Sequence, residues 1–138
     1  MRSLLAKNRK NVQWVMRHYP LSFHENAMPA TEAAECATSL GGNVAFWKFS
    51  DAVMAGNGNF AFAAIAKAMG LNEEAFSACL EKHAFTTFIE GQIDGGTKAG
   101  VRGTPTTFFV NVKTGRLEVV GGAVPLEQLQ SALNEVLR

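Results

Sequence analysis

The chain has 138 residues, 47% of them apolar, with 13 basic against 12 acidic side chains and a net charge of +1. That length buries one hydrophobic core but not two independent ones, and ten phenylalanines supply ample material for it, which excludes disorder. A balanced charge gives no electrostatic footprint for nucleic acid or an anionic membrane, so neither is expected as a partner.

No stretch approaches the ~20 apolar residues that span a bilayer. Leu4, Leu5 and Ala6 fall well short of the ~7 to 15 residues of a signal-peptide core. As written, the chain predicts a cytoplasmic protein, and a periplasmic or secreted one if its gene starts upstream. Ser3 to Lys10 reads as the last turns of a helix, with Lys7-Asn8-Arg9-Lys10 as its solvated end. Asn11 to Tyr19 follows, rich in β-branched and aromatic residues and stopped by Pro20. With apolar residues on both faces it predicts an interior strand.

The period then changes to that of helices. Ala30, Ala33, Ala34, Ala37 and Leu40 fall on one small-residue face, Pro29 suits the start, and Gly41-Gly42 closes the end. Asn43 can cap a second helix carrying Phe46, Phe49 and Val53, broken at Gly56-Asn57-Gly58-Asn59. Phe60 to Met69 predicts a third, stopped by Gly70. Asn72-Glu73-Glu74 opens a fourth, with Phe76, Cys79 and Leu80 inward. A fifth from about Ala84 buries Phe85, Phe88, Ile89 and Ile93, and frays or kinks at Gly95-Gly96.

Val101 to Val112 is the stretch that organises the rest. Pro105 lacks an N–H and sits at the entrance of the run Thr106 to Val112, which predicts a buried strand. The residues alone leave the Thr104-Pro105 bond open between trans and cis, trans being preferred by about 0.5 to 1 kcal/mol at X-Pro bonds. Lys113 to Arg116 predicts a hairpin turn, Leu117 to Val120 a returning strand, and Pro125 the start of a last helix with Leu126, Leu129, Leu133, Val136 and Leu137 on its apolar face. Strand, helical block, hairpin and helix together predict an α+β fold.

Two cysteines, Cys36 and Cys79, lack histidine partners at ligand spacing, as His18, His24 and His83 all do in turn. No metal and no cofactor is expected.

Two phrases together, Trp14 to Leu21 followed by a helix containing Glu35-Cys36-Ala37, and Gly100-Val101-Arg102-Gly103-Thr104-Pro105-Thr106 entering Phe108 to Asn111, resemble the DsbA-like thioredoxin-fold family of thiol-disulfide oxidoreductases. Phe76 to Leu80 and Gly121-Gly122-Ala123 extend the likeness over nearly the whole chain. The resemblance implies one domain over 1–138, with a thioredoxin-like core from 1–24 and 98–138 and a helical insertion at 25–97. It also implies a cis Thr104-Pro105 bond and a substrate-binding loop of Arg102, Gly103, Thr104, Pro105 and Thr106, fit for an extended or unfolded polypeptide.

Relatives of this kind carry a strand that delivers Cys-x-x-Cys to a helix N-terminus, where the first thiol becomes a thiolate. Nothing in this sequence matches that motif, so no catalytic residue is assigned and the chain as written is expected to be redox-inactive. An incomplete thioredoxin core would leave unpaired strand edges, which predicts completion by dimerisation or strand exchange, hence a homodimer. Cys36 and Cys79 lie where DsbA-like relatives bear cysteines, which implies a structural disulfide; two buried free thiols are the other reading. Glu32 and Glu35 precede Cys36 and would raise the pKa of such a thiol. His24 reads as a local hydrogen-bonding or capping residue ahead of a groove-lining one, and His18 and His83 as structural or solvated.

The functional expectation is therefore the body of a disulfide oxidoreductase that oxidises or isomerises protein thiols. The alternative is a non-enzymatic module that binds extended peptides at the Thr-Pro loop. A weaker one is a remnant of the glutathione-dependent transferases and isomerases that share the inserted-helix plan.

Overall fold

Most of the helix signals in the sequence become helices. In the computed structural model, which describes residues 2–8, 10–56, 58 and 60–138, they are α1 (Arg2–Asn8), α2 (Ala27–Ala55), α3 (Phe62–Ala68), α4 (Glu73–Glu81), α5 (Thr86–Lys98) and α6 (Leu126–Leu137), with strands β1 (Thr106–Val110) and β2 (Leu117–Gly121) between the last two. The helix end expected at Arg9 and the break expected at Asn57 and Asn59 lie outside the described residues. The result is mostly helical, with a two-stranded antiparallel sheet.

Contacts divide the chain into two units, one of Met1–Arg17 with Gly96–Arg138 and one of His18–Gly95. The second unit is built on the alanine face of α2. Ala33 and Ala37 are fully buried with Phe49, Ala66 and Phe76, and the small side chains let α3 and α4 close on α2. The Phe49 and Phe76 rings meet at 5.7 Å between centroids, a favourable tilted pair at the centre of that core. Asn72 caps α4 as expected, accepting from the Ala75 N–H at 2.8 Å.

In the first unit, one face of the hairpin lies on α6. Phe109 and Val120 bury themselves against Leu133, Val136 and Leu4, with Val12, Leu126 and Leu129 around them. Asn111 locks the turn: its Oδ1 accepts from the N–H groups of Lys113 and Thr114, and its Nδ2 donates to the Val136 carbonyl at 2.7 Å. One asparagine thereby fixes the hairpin and docks the end of α6.

Several expectations need correction. The run Thr106 to Val112, expected as a buried strand, ends as a strand at Val110 with Phe109 its one buried residue, and Val112 is exposed. The strand over Asn11 to Tyr19 does not form; the segment carries no ladder, and Val15 and Met16 are exposed. Among the described residues β1 pairs only with β2, and β-propensity is expressed only where a segment actually pairs and packs in a sheet. The sheet of the thioredoxin-like core accordingly has two strands among the described residues. Helix α5 runs through Gly95-Gly96 to Lys98 instead of breaking there, and Phe88 is exposed where burial was expected. The glycines at 41 and 42 do divide two helices, although these abut so closely that they form one kinked rod: only Gly42 leaves helical conformation, at φ 68° and ψ −167°.

Candidate functional site

The loop from Val101 to Thr106 is held at both ends by backbone bonds. Helix α5 ends in a paired reverse turn, with the Gly100 N–H on the Thr97 carbonyl at 3.0 Å and the Val101 N–H on the Gly96 carbonyl at 2.9 Å. Gly100 takes φ 86° there, a conformation that glycine enters without penalty. At the other end the Pro105 carbonyl accepts from the Gly122 N–H at 2.7 Å, and the Thr106 hydroxyl donates to the Gly103 carbonyl at 2.7 Å. The Thr104-Pro105 peptide bond is cis.

Between these anchors, Arg102, Thr104 and Pro105 are exposed while Gly103 and Thr106 are half-buried. Among the described residues, no hydrogen bond reaches the backbone of Arg102 or Thr104. Both residues lie ahead of the hairpin ladder, which begins at Thr106. Asn111 donates to the Arg116 carbonyl at one end and Gly122 to Pro105 at the other, and the Cα partners run Thr106 with Gly121 through Val110 with Leu117. Antiparallel ladders alternate, so Pro105, Thr107, Phe109 and Asn111 direct their polar backbone groups at β2. Thr106, Phe108 and Val110 direct theirs away, while Thr104 lies ahead of the ladder, in the bend before the cis bond. The site is thus an edge of free donors and acceptors beside a cationic Arg102 side chain. It can add an extended peptide; it holds no nucleophile.

Cys36 and Cys79 are joined by a disulfide across α2 and α4, with Cα atoms 5.9 Å apart. Cys36 is 1% exposed in the alanine–phenylalanine core, so its sulfur is closed to solvent. The carboxylates expected to act on a Cys36 thiol face histidines instead. Glu35 meets His18 Nε2 at 2.6 Å, while Glu32 accepts from His83 Nδ1 at 3.1 Å and from the Thr86 hydroxyl. His18 is buried, its N–H donating to Gln92 Oε1 at 2.6 Å and its ring edge-on to Phe46. His24 is exposed, its N–H on the Leu21 carbonyl and its ring against Phe23.

The structure therefore brings Arg102 to Thr106 together as one loop and joins the two cysteines in the other unit. Sequence reasoning missed both carboxylate–histidine pairs. A signal existed for one: Glu32 lies four residues before Cys36 and His83 four after Cys79, so a bridge between the cysteines brings the other two within reach.

Residues 1–134 match the family model described as a DSBA-like thioredoxin domain. Among curated proteins, the Na(+)/H(+) antiporter NhaA 1 of Salinispora arenicola (strain CNS-205) is 36% identical over 105 residues, which are 73% of this chain and 16% of that protein. The Na(+)/H(+) antiporter NhaA 3 of Salinispora tropica is 34% identical over 105 residues, with the same shares of 73% and 16%. The match thus takes in a small part of each relative's length. No solved structure matches.

Proposed function

Because this chain belongs to the DSBA-like thioredoxin domain family, we propose that it is the peptide-holding body of a thiol-disulfide oxidoreductase, and that its 138 residues perform no disulfide exchange of their own. An extended polypeptide lies along Arg102 to Thr106 and bonds to the backbone of Thr104. The observation that carries this reading is the exposed and unbonded backbone of Arg102 and Thr104 at the entrance to β1. Strand-like addition at such an edge draws affinity from main-chain hydrogen bonds and tolerates many side chains, as binding of unfolded clients requires.

Inactivity follows from the chemistry of exchange, in which a thiolate attacks a disulfide sulfur and displaces another thiolate. The sequence has two cysteines, both consumed in one disulfide, and Cys36 is shielded from an incoming thiolate. That disulfide also supports an oxidising compartment for the working protein, against the cytoplasmic expectation. Both antiporter relatives are far longer than the matched region, which supports a domain that works as part of a larger protein.

An insulin-reduction assay with dithiothreitol tests the first half, and the expected rate equals the no-protein control. Turnover above that control overturns the inactivity. The second half is tested by titrating an unfolded polypeptide while following amide resonances. Shifts should concentrate at Arg102, Gly103, Thr104 and Thr106 and weaken in Thr104→Pro, which removes the bonding N–H; shifts confined to other residues refute the edge.

A further inference from the structure

The disulfide between Cys36 and Cys79 crosses the boundary of the helical core, and its two sulfurs are not equally reachable. Cys36 belongs to the closed cluster, 1% exposed among Ala33, Ala37, Phe49 and Phe76. Cys79 packs on the outside of that cluster and is half-buried, as are Ser77, Ala78 and Leu80 beside it on α4. In thiol–disulfide exchange a thiolate attacks one sulfur while the other leaves, so access to a sulfur decides where exchange begins. In the folded chain a small thiolate has a path to Cys79 alone.

We propose that Cys79 is a site of S-thiolation by low-molecular-weight thiols and their disulfides, with Cys36 as its resolving partner. When the bond closes, the Cys79 thiolate attacks a small disulfide, forms a mixed disulfide at Cys79 and releases one small thiolate. Cys36 then attacks Cys79 Sγ as a thiolate and expels the second. Two protein thiols are thereby oxidised to one disulfide, the small disulfide is reduced to two thiols, and the two protons lost by the cysteines end on those thiols. Opening retraces the path: a small thiolate attacks Cys79, and Cys36 leaves as the thiolate. Both directions therefore pass through one intermediate, with the adduct on Cys79. That intermediate is short-lived. The helices hold the two residues with Cα atoms 5.9 Å apart, which makes the attack by Cys36 intramolecular, and an apolar surrounding favours the bonded sulfur over a free thiolate. The exchange is stoichiometric on the chain's own bond, and no disulfide passes to a client.

Glutathione serves as the probe. The folded, disulfide-bonded chain is incubated with excess reduced glutathione, quenched in acid and mapped by peptide mass. The expected adduct is one glutathionyl group on Cys79, with Cys36 recovered as a free thiol. Two single-thiol variants then separate the roles of the sulfurs. Cys36→Ala, mixed with glutathione disulfide in native buffer, should gain one glutathionyl group at Cys79. Cys79→Ala should gain its group on the order of a hundredfold more slowly, because Cys36 reacts only when the helical unit opens locally. In denaturing urea the two rates should converge. An adduct that is missing from the wild-type chain, or that lies on Cys36 as much as on Cys79, overturns the proposal. A Cys36→Ala chain that stays unlabelled overturns it too, as do equal native rates in two variants that keep the wild-type far-ultraviolet circular dichroism spectrum. Where a variant loses that spectrum, the position of the wild-type adduct decides. Insulin turnover and amide shifts at Arg102 to Thr106 are read separately, so this proposal and the peptide-binding reading can fail independently.

Discussion

Glu32 is 6% exposed, and a carboxylate at that depth is tolerable only because two groups donate to it. One is Thr86, at the start of α5; the other is His83, whose own side chain is largely in solvent. His83 takes φ 48°, a left-handed conformation that few side chains enter and that costs of order 1–3 kcal/mol. The turn from α4 to α5 is thus held by a strained histidine and a threonine that share one buried anchor on α2. Since Glu32 precedes Cys36 by four residues and His83 follows Cys79 by four, the Glu32–His83 hydrogen bond and the disulfide tie the same two stretches together. Glu32→Ala should lower the unfolding free energy by about 1–3 kcal/mol, the usual cost of stranding buried polar partners. Glu32→Gln, which still accepts from Thr86, should lose less. Urea midpoints for the two variants check both the size and the order, and equal midpoints would remove Glu32 as the anchor.

At the level of elements, Gly42 does what no other residue type could do at that point. Its φ of 68° with ψ of −167° lies in a region essentially reserved for glycine, and a Cβ built there meets nothing within 4 Å. The cost of Gly42→Ala is therefore backbone strain alone, about 1–3 kcal/mol, with helix content kept. Its neighbour Gly41 differs, because a Cβ there would sit 2.7 Å from that of Ala45. Chemical denaturation of Gly42→Ala tests the kink, and wild-type stability would mean the rod straightens without penalty. Elements with a local cause were legible: the glycine kink, the Asn72 cap, the Asn111 to Arg116 turn and the Pro105 entrance all follow from one or two residues' chemistry. Asn11 to Tyr19 forms no strand although its composition favours one, because β-propensity is realised only through pairing and packing that no local pattern encodes. The loop Arg102 to Thr106 was legible as a turn, but which backbone groups face outward depends on the register with β2. The carboxylate–histidine pairs, 17 and 51 residues apart, depend on helix packing, which no local pattern encodes.

Across the whole molecule, the disulfide acts on one of the two compact units. Cys36 and Cys79 are 43 residues apart and both lie within His18–Gly95, so the loop they close belongs to the helical unit alone. In the chain-entropy account, a loop of that length removes unfolded conformations worth about 4 kcal/mol. The sulfurs also fill space in the core beside Ala33, Ala37, Phe49 and Phe76. Replacing both cysteines by alanine should lower the unfolding free energy of residues 18–95 by about that amount. Native-state hydrogen exchange gives the unit-by-unit reading that a single melting curve does not. Amides that exchange only on opening of that unit, such as those of Ala33, Ala37 and Phe76, should exchange about a thousandfold faster in the double variant, since each 1.4 kcal/mol is a factor of ten. Unchanged protection there would mean that packing of the alanine face holds the unit closed without the bond. Intact mass under non-reducing conditions supplies the control, as the bridged chain weighs two hydrogens less than the reduced one.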